Sequence, residues 1–257
     1  MLSPTPVAVC VLAWEVLYQL SKLTIRTFAQ PTEANQKLRR YGASYIVALV
    51  HAVIVGMRGP WHLLALINAP VESKLVMPGA ESPWFEATAS ADATNLLFFS
   101  WLLYDSLHLF LAFPKLGGAD TVAHHVGFIC ASLLCGLYSL LPFPFGWLIS
   151  GELSSIPLNI RWLLINSGRG DTRALRVANH TFLILFFAMR VVGYGAGLVH
   201  LWIIRDHLLQ LDAVVARPFL LVILALVVGG FGLNLTWFRK IVQMLRAQPR
   251  AKEKRAE

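Results

Sequence analysis

The stretch PFLLVILALVVGGFGLNLTWF, residues 218–238, contains no charged side chain. A helix needs about 20 mostly apolar residues to cross the hydrocarbon core of a bilayer. Six more stretches have a similar apolar character, and they occupy residues 5–21, 42–57, 94–113, 122–141, 146–165 and 177–202. The sequence therefore predicts an all-α, multi-pass membrane protein, a helical bundle with about seven transmembrane helices. Pro157 is predicted to kink the fifth helix.

The overall composition favours the same setting. Of the 257 residues, 56% are hydrophobic and only 14% are charged, whereas soluble domains are about 25% charged. The first apolar stretch is short and carries Glu15, yet it has neither the basic start nor the small-residue cleavage site of a signal peptide. Residues 1–41 are therefore predicted to form a retained N-terminal transmembrane helix and a basic cytosolic loop.

The basic residues are unevenly distributed between the two sides of the predicted bundle. The formal net charge is +8, and basic clusters lie in residues 22–40, 169–176 and 239–255. The loops of the opposite side hold only Arg58, Lys74, Arg205 and Arg217. The positive-inside rule then predicts a lumenal N-terminus and a cytosolic C-terminus. Because this pattern accounts for the positive charge, no nucleic-acid partner is predicted.

The C-terminal residues 246–257 form a basic cytosolic tail in this scheme. Lys254 and Arg255 resemble a dibasic retrieval signal, so we predict residence in the endoplasmic reticulum or another endomembrane. A cationic cytosolic face also suits anionic lipid head groups.

Titratable side chains interrupt the apolar stretches at a common depth. At 1.5 Å per residue, Asp105 and His108 lie near the cytosolic end of the third stretch, and His124 and His125 near that of the fourth. Polar side chains of three other stretches reach the same layer: Arg161, His180, Asn234 and Trp237. Asp105 and His108, three residues apart, are predicted to share one helix face. Such groups are costly in hydrocarbon, so this layer is the candidate functional site.

Two opposite charges lie deeper, at matched depth. Glu152 and Arg190 are each about 13 residues from the predicted cytosolic end of their helix. A lone charge at that depth is expensive, so the two are predicted to form an ion pair. The pair has two possible roles, fixing how two helices dock and contacting a substrate.

The histidines leave two kinds of role open. Adjacent histidines such as His124 and His125 point about 100° apart on a helix, and metal sites need three or four convergent ligands, so no metal is predicted. One alternative is acid–base or nucleophilic chemistry, in which Asp105 orients a histidine. The other is hydrogen bonding to a neighbouring helix.

Three segments together resemble the TLC domain family, which includes the ceramide synthases. They are Asp105 with His124-His125, the run Gly151-Glu152-Leu-Ser-Ser-Ile-Pro-Leu-Asn159-Ile-Arg161-Trp162, and Leu233-Asn234-Leu-Thr-Trp237-Phe238. The central run is most similar to the small branch that contains TLC domain-containing protein 4. The resemblance implies a TLC domain over residues 42–245, six helices around a lipid-sized cavity, with the first helix as an addition.

The resemblance also bears on the chemistry. Ceramide synthases follow the double histidine with an Asp-x-x-Asp pair. Here Glu152 falls near the first position and Ser155 at the second, which weighs against the sphingoid-base acyl transfer of that family. Whether the chain is an enzyme is left open.

Three functions follow as hypotheses. The first is a lipid-handling protein of membrane lipid homeostasis that binds or senses a lipid in an intramembrane cavity. The second is an acyl-CoA-dependent acyltransferase of ceramide-synthase type. In it Asp105, His108, His124 and His125 are the catalytic candidates and acyl-CoA is a co-substrate, with no resident cofactor. The residues predicted to bind lipid or acyl-CoA are Asn159, Arg161, His180, Asn234 and Trp237. A transporter or channel ranks last, because the paired broken helices of inverted-repeat transporters are not evident.

Overall fold

The structure, a computed structural model, describes residues 2–253, and it describes the side chains of all of them except residues 212, 213 and 245–253. Lys254 and Arg255, on which the retrieval-signal prediction rests, lie outside the described residues, as do the side chains of the basic tail.

The predicted apolar stretches are largely helical. The α-helices are α1 Pro4–Phe28, α2 Gln36–Leu66, α3 Val71–Leu75, α4 Phe85–Leu111, α5 Ala119–Tyr138, α6 Pro142–Ser150, α7 Ser155–Asn166, α8 Arg173–Leu185, α9 Tyr194–Ile203, α10 Arg205–Leu209 and α11 Arg217–Glu253. Short 3₁₀ turns occupy Glu33–Asn35, Gly151–Ser154 and Gln210–Ala213, and a π-helical segment, Phe186–Gly193, joins α8 to α9. The fifth predicted span therefore contains a 3₁₀ turn at Gly151–Ser154, just before Pro157.

Five helical segments of the described chain are long and apolar enough to cross a membrane: Pro4–Phe28, Glu33–Leu66, Ala119–Tyr138, Arg173–Ile203 and Arg217–Met244. The other two predicted spans are α4 and the α6–α7 pair. Polar residues lower the hydropathy of α4, and the 3₁₀ turn divides α6 from α7. The chain is an integral membrane protein built as a polytopic helical bundle, as predicted.

Six helical segments form a closed ring. In order around the ring, α2 packs on α4, α4 on α5, α5 on α11, α11 on the π segment and α9, and α8 on α7. The ring closes where α6 and α7 pack back on α2. Helix α1 lies outside, against α2 and α4. The apolar faces of α1 that point away from the bundle suit contact with lipid chains.

The wall formed by α6 and α7 lies very close to α2. A Cβ atom added to Gly59 would lie 2.6 Å from the backbone nitrogen of Ser150, and one added to Gly56 would lie 2.9 Å from that of Leu153. Small residues permit such close backbone approach between membrane helices. This contact fixes the 3₁₀ turn, and with it Glu152, against the inside of the ring.

An apolar cluster closes one end of the ring. Leu75, Leu141, Trp147, Tyr194 and Leu220 are buried together where α3, α6, α9 and α11 meet. The backbone N–H of Leu141 donates to the carbonyl of Leu75, 2.6 Å away, and pins the loop that follows α2 to this end. The opposite end, where α4 ends and α5 begins, is here called the basic end. The interior of the ring opens there.

Candidate functional site

A cavity of about 850 Å³, here called the main cavity, lies inside the ring towards the basic end. Its size falls in the upper part of the range of about 300–1,000 Å³ that holds small ligands. The polar side chains that line its inner part are Asp105, His124, His125, Glu152, Ser155, Asn159 and Arg190. Those nearer the basic end are Arg161, Arg176, Asn179, His180, Trp237 and Lys240. The remaining lining is largely apolar and includes Phe98, Trp101 and Leu102. The cavity therefore combines an apolar wall with inner polar groups and with basic side chains towards the basic end.

An acid and a histidine meet on the wall between α4 and α5. The Oδ2 atom of Asp105 lies 3.6 Å from Nε2 of His125, and Nδ1 of His125 lies 3.2 Å from Oγ of Ser106. His125 is buried, whereas the carboxylate of Asp105 is partly open to the cavity. An imidazole held between a hydroxyl and a carboxylate has a fixed ring orientation, which both ligand binding and proton transfer require.

His124 points in a different direction from His125, as expected for neighbours on a helix. Its ring lies 4.6 Å from that of Phe128 and 5.1 Å from that of Trp237, centre to centre. The two imidazole rings are 5.9 Å apart. His124 therefore forms part of an aromatic wall between α5 and α11, while His125 faces Asp105.

The predicted deep ion pair is present. Nη2 of Arg190 lies 2.9 Å from Oε1 of Glu152, and both side chains are largely buried. Nη2 also donates to Oγ of Ser155 at 3.1 Å, and Nε donates to Oγ of Ser154 at 2.9 Å and to the carbonyl of Gly151 at 3.1 Å. Ser155 thus serves as an acceptor for Arg190. A buried guanidinium needs this degree of satisfaction to be stable.

The π-helical segment Phe186–Gly193 carries Arg190 into the ring. Short π segments widen a helix by one residue per turn and are frequent at functional sites. The guanidinium stem passes directly over Gly151, where an added Cβ would lie 3.4 Å from Cγ of Arg190. The glycine and the local widening together bring the arginine beside Glu152.

Polar contacts link neighbouring helices near the mouth of the main cavity. Nε of Arg161 donates to Oδ1 of Asn179, 2.8 Å away, and so links α7 to α8. Across the mouth, Oδ2 of Asp120 accepts from Nε1 of Trp237 at 3.0 Å and from Nζ of Lys240 at 2.9 Å. Three basic side chains, those of Arg161, Arg176 and Lys240, line the main cavity towards the basic end.

Two predicted site residues do not line the main cavity. His108 turns away from Asp105, because residues three apart on a helix differ by about 60° around its axis and Glu15 of α1 offers an acceptor on that side. The Nε2 atom of His108 lies 3.0 Å from Oε2 of Glu15, so His108 docks α1. Asn234 is buried behind the ion pair, with Oδ1 at 3.5 Å from Nη1 of Arg190. It supports Arg190 and contacts no cavity space.

Two other predicted residues line the cavity but use one polar group internally. Asn159 donates its amide to the carbonyl of Ser155 at 2.8 Å. Nδ1 of His180 donates to the carbonyl of Arg176 at 2.7 Å.

The sequence reasoning missed several residues of the site. Ser106 orients His125, and only its position next to Asp105 could have suggested it. Asp120 lies in the first turn of α5, where the helix dipole favours an acid. Because an acid is common at that position, the sequence did not indicate that Asp120 contacts Trp237 and Lys240. Tyr45 of α2 stacks on Trp162 of α7 with ring centres 3.7 Å apart at the rim.

Among the described residues, no group of three or more His, Cys, Asp or Glu side chains is arranged to hold a metal ion. The polar layer instead offers one acid–histidine pair, one ion pair and a cationic mouth.

Comparison with known proteins identifies one family. The family model described as the TLC domain matches residues 43–243. Comparison with curated proteins and with solved structures gave no significant match. The match covers the whole ring of helices and leaves α1 outside it.

Proposed function

The chain belongs to the TLC domain family, and from that premise we propose that it acts in membrane lipid homeostasis by binding a lipid in the main cavity. The observation that carries the proposal is the lining of this cavity, which has an apolar wall, a polar inner layer, and Arg161, Arg176 and Lys240 towards the basic end. An amphiphile with an anionic head group matches both features, since arginine and lysine bind carboxylate and phosphate groups strongly.

The inner polar layer gives this ligand a defined depth. Asp105 and His125 are available to a hydroxyl or amine of the head group, and the Glu152–Arg190 pair supports the wall beside them. Burying ionisable groups inside a membrane bundle costs free energy, so groups found there usually have a function. The arrangement therefore supports selection among head groups, and the lipid's chain accounts for the apolar wall.

We expect the mouth to govern affinity for anionic lipid. Converting Arg161, Arg176 and Lys240 together to glutamine should reduce the anionic lipid that copurifies with the protein at least tenfold. The measurement is native mass spectrometry of the chain released from phosphatidylcholine vesicles containing phosphatidic acid.

The control for this test removes the same charge from the same end. Arg169, Arg173 and Arg239 do not line the main cavity, and their replacement by glutamine should leave retention within twofold. If both triple variants lose lipid equally, the effect comes from general surface charge, and the binding proposal is wrong.

A second candidate function is acyl transfer, and the contact between His125 and Asp105 favours it. In this reaction an amine or hydroxyl of the acceptor attacks the carbonyl carbon of an acyl-CoA thioester. The new C–N or C–O bond forms as the C–S bond breaks. His125 takes the proton of the attacking group and passes it to the departing CoA thiolate, while Asp105 orients the imidazole. The basic mouth would then hold the phosphates of CoA. Ser155 stands where the resemblance to the ceramide synthases would place an acid, and this argues against their specific reaction.

We further propose that the basic end is cytosolic and that the membrane is the endoplasmic reticulum or another endomembrane. The structure places Lys115, Arg173 and Lys240 at one end of the bundle, which is the side expected to face the cytosol. A C-terminal epitope should bind antibody after selective permeabilisation of the plasma membrane. Accessibility of the α2–α4 loop instead, with the C-terminus reached only after full lysis, would reverse the orientation.

A further inference from the structure

A second cavity, here called the side groove, lies between α5, α6 and α11 and has a volume of about 470 Å³. It is separate from the main cavity along most of its length, but the two share Phe98 and His124 as lining residues. Ala123, Ala225 and Gly229 line the groove and are exposed at the protein surface. The groove therefore opens on the flank of the bundle, between two helices that each qualify as membrane spans.

Apart from His124 at one end, the groove presents a largely apolar surface, because the polar groups described next bond within the protein. Asn95 and Ser132 exchange hydrogen bonds with each other across α4 and α5. The hydroxyl of Tyr194 donates to the carbonyl of Val227 at 2.7 Å, and that of Thr236 donates to the carbonyl of Leu233, also at 2.7 Å. A ligand here needs no hydrogen-bonding groups, and a hydrocarbon chain satisfies that condition.

The length and direction of the groove fit one lipid chain. Its lining on α5 extends from Ala123 to Cys135, which is about 18 Å along the helix at 1.5 Å per residue. The end at His124 lies towards the basic end of the bundle, and the far end meets the apolar cluster at Leu141 and Tyr194. The groove thus runs across more than half of a hydrocarbon core roughly 30 Å thick, along the direction in which a lipid chain lies.

Glycine creates the space. At Gly229 an added Cβ would meet no atom within 4 Å, and at Gly127, on the facing helix, the first contact would be Leu226 at 3.6 Å. Helix α11 contains a third glycine, Gly232, that is equally open, but it does not line the groove.

We propose that the side groove binds the hydrocarbon chain of a membrane lipid that enters from the flank, while its head group lies in the main cavity at His124. The proposal rests on lipid binding by the main cavity, and it names the ligand class as an amphiphile whose chain extends over about 18 Å. His124, shared by both spaces, is the residue at which the chain passes into the polar layer.

The test uses the full chain in phosphatidylcholine nanodiscs and one probe, palmitic acid carrying a mid-chain diazirine and a terminal alkyne. After irradiation, adducts are located by peptide mass spectrometry. The expected adducts lie on groove residues of α5 and α11, such as Phe128 and Leu226, and excess unlabelled palmitic acid removes them. Gly229→Leu should reduce these adducts at least fivefold, and so should Ala225→Phe, one turn earlier. Gly232→Leu makes the same chemical change on the same helix and should stay within twofold of wild type.

Three results would overturn the proposal. The first is labelling that excess palmitic acid does not displace and that spreads over the outer face of α1 as much as over the groove. The second is an equal effect of Gly229→Leu and Gly232→Leu. The third is displaceable labelling confined to Phe182 and Leu183 of the main cavity, which would refute the groove but leave the proposed function intact. The charge-matched mouth variants decide that function independently.

Discussion

Replacing Glu152 with glutamine is expected to lower the free energy of unfolding by about 3–5 kcal/mol, because it leaves the charge of Arg190 buried without its counter-ion. Arg190 is 9% exposed, and its other partners are neutral groups that cannot replace a carboxylate. The measurement is thermal and denaturant unfolding of the detergent-solubilised chain, followed by tryptophan fluorescence.

Two companion variants show that the effect comes from an unpaired buried charge. Replacing Glu152 and Arg190 together with methionine should recover much of the loss, because an apolar pair of similar volume is tolerated where a single charge is not. Asp206, in the exposed pair with Arg205, provides the matched control, since Asp206→Asn should change stability by no more than about 1 kcal/mol. Equal stability of wild type and the Glu152→Gln variant would refute a structural role for the pair.

The second large effect is expected at the acid–histidine pair. Replacing His125 with alanine should weaken retention of the cavity lipid by about tenfold or more. The change removes the hydrogen bond expected between the imidazole and the lipid head group, and a hydrogen bond that involves a charged group contributes about 1.5–3 kcal/mol. Asp105→Asn should act in the same direction, since it alters the group that faces His125 at 3.6 Å. His207, exposed and paired with Glu72 at the other end of the bundle, is the control, and His207→Ala should retain lipid normally.

The same variants separate binding from catalysis. If the chain transfers acyl groups, His125→Ala should reduce turnover by a factor of about 10² to 10⁴, the usual contribution of a general base. At normal protein levels the cells should then lose one lipid class and accumulate its precursor. A lipid profile identical to wild type in cells carrying His125→Ala rules out the catalytic function and leaves binding.

The length of the apolar stretches was sufficient to predict most of the membrane helices. The seven predicted stretches lie largely in the observed helices because a bilayer requires long apolar segments with satisfied backbones. Matched depth also predicted that Glu152 and Arg190 meet, since an unpaired charge at that level is too costly.

What the sequence did not reveal depends on contacts between distant residues. The orientation of His108 is decided by Glu15, 93 residues away in the chain, and helix periodicity alone cannot choose between the two faces. The 3₁₀ turn at Gly151–Ser154 lies where Gly56 and Gly59 of α2 allow close backbone contact, and such a contact cannot be deduced from Pro157 alone. The side groove is lined by Gly127 of α5 and Gly229 of α11, and it could be predicted only if the pairing of these two helices were known. The match to the TLC domain identifies the family as a whole, so the small-branch assignment stays a prediction.

A structure of the chain in lipid nanodiscs, determined by electron cryo-microscopy, tests lipid binding by the main cavity most directly. The expected result is elongated density in that cavity, with its polar end beside His124 and Asp105 and within reach of Arg161 or Lys240. Density for CoA at the mouth would favour acyl transfer, whereas a complete lipid would favour binding alone. A main cavity that is collapsed, or that holds only water while lipid covers the outside of the bundle, would contradict the proposed function.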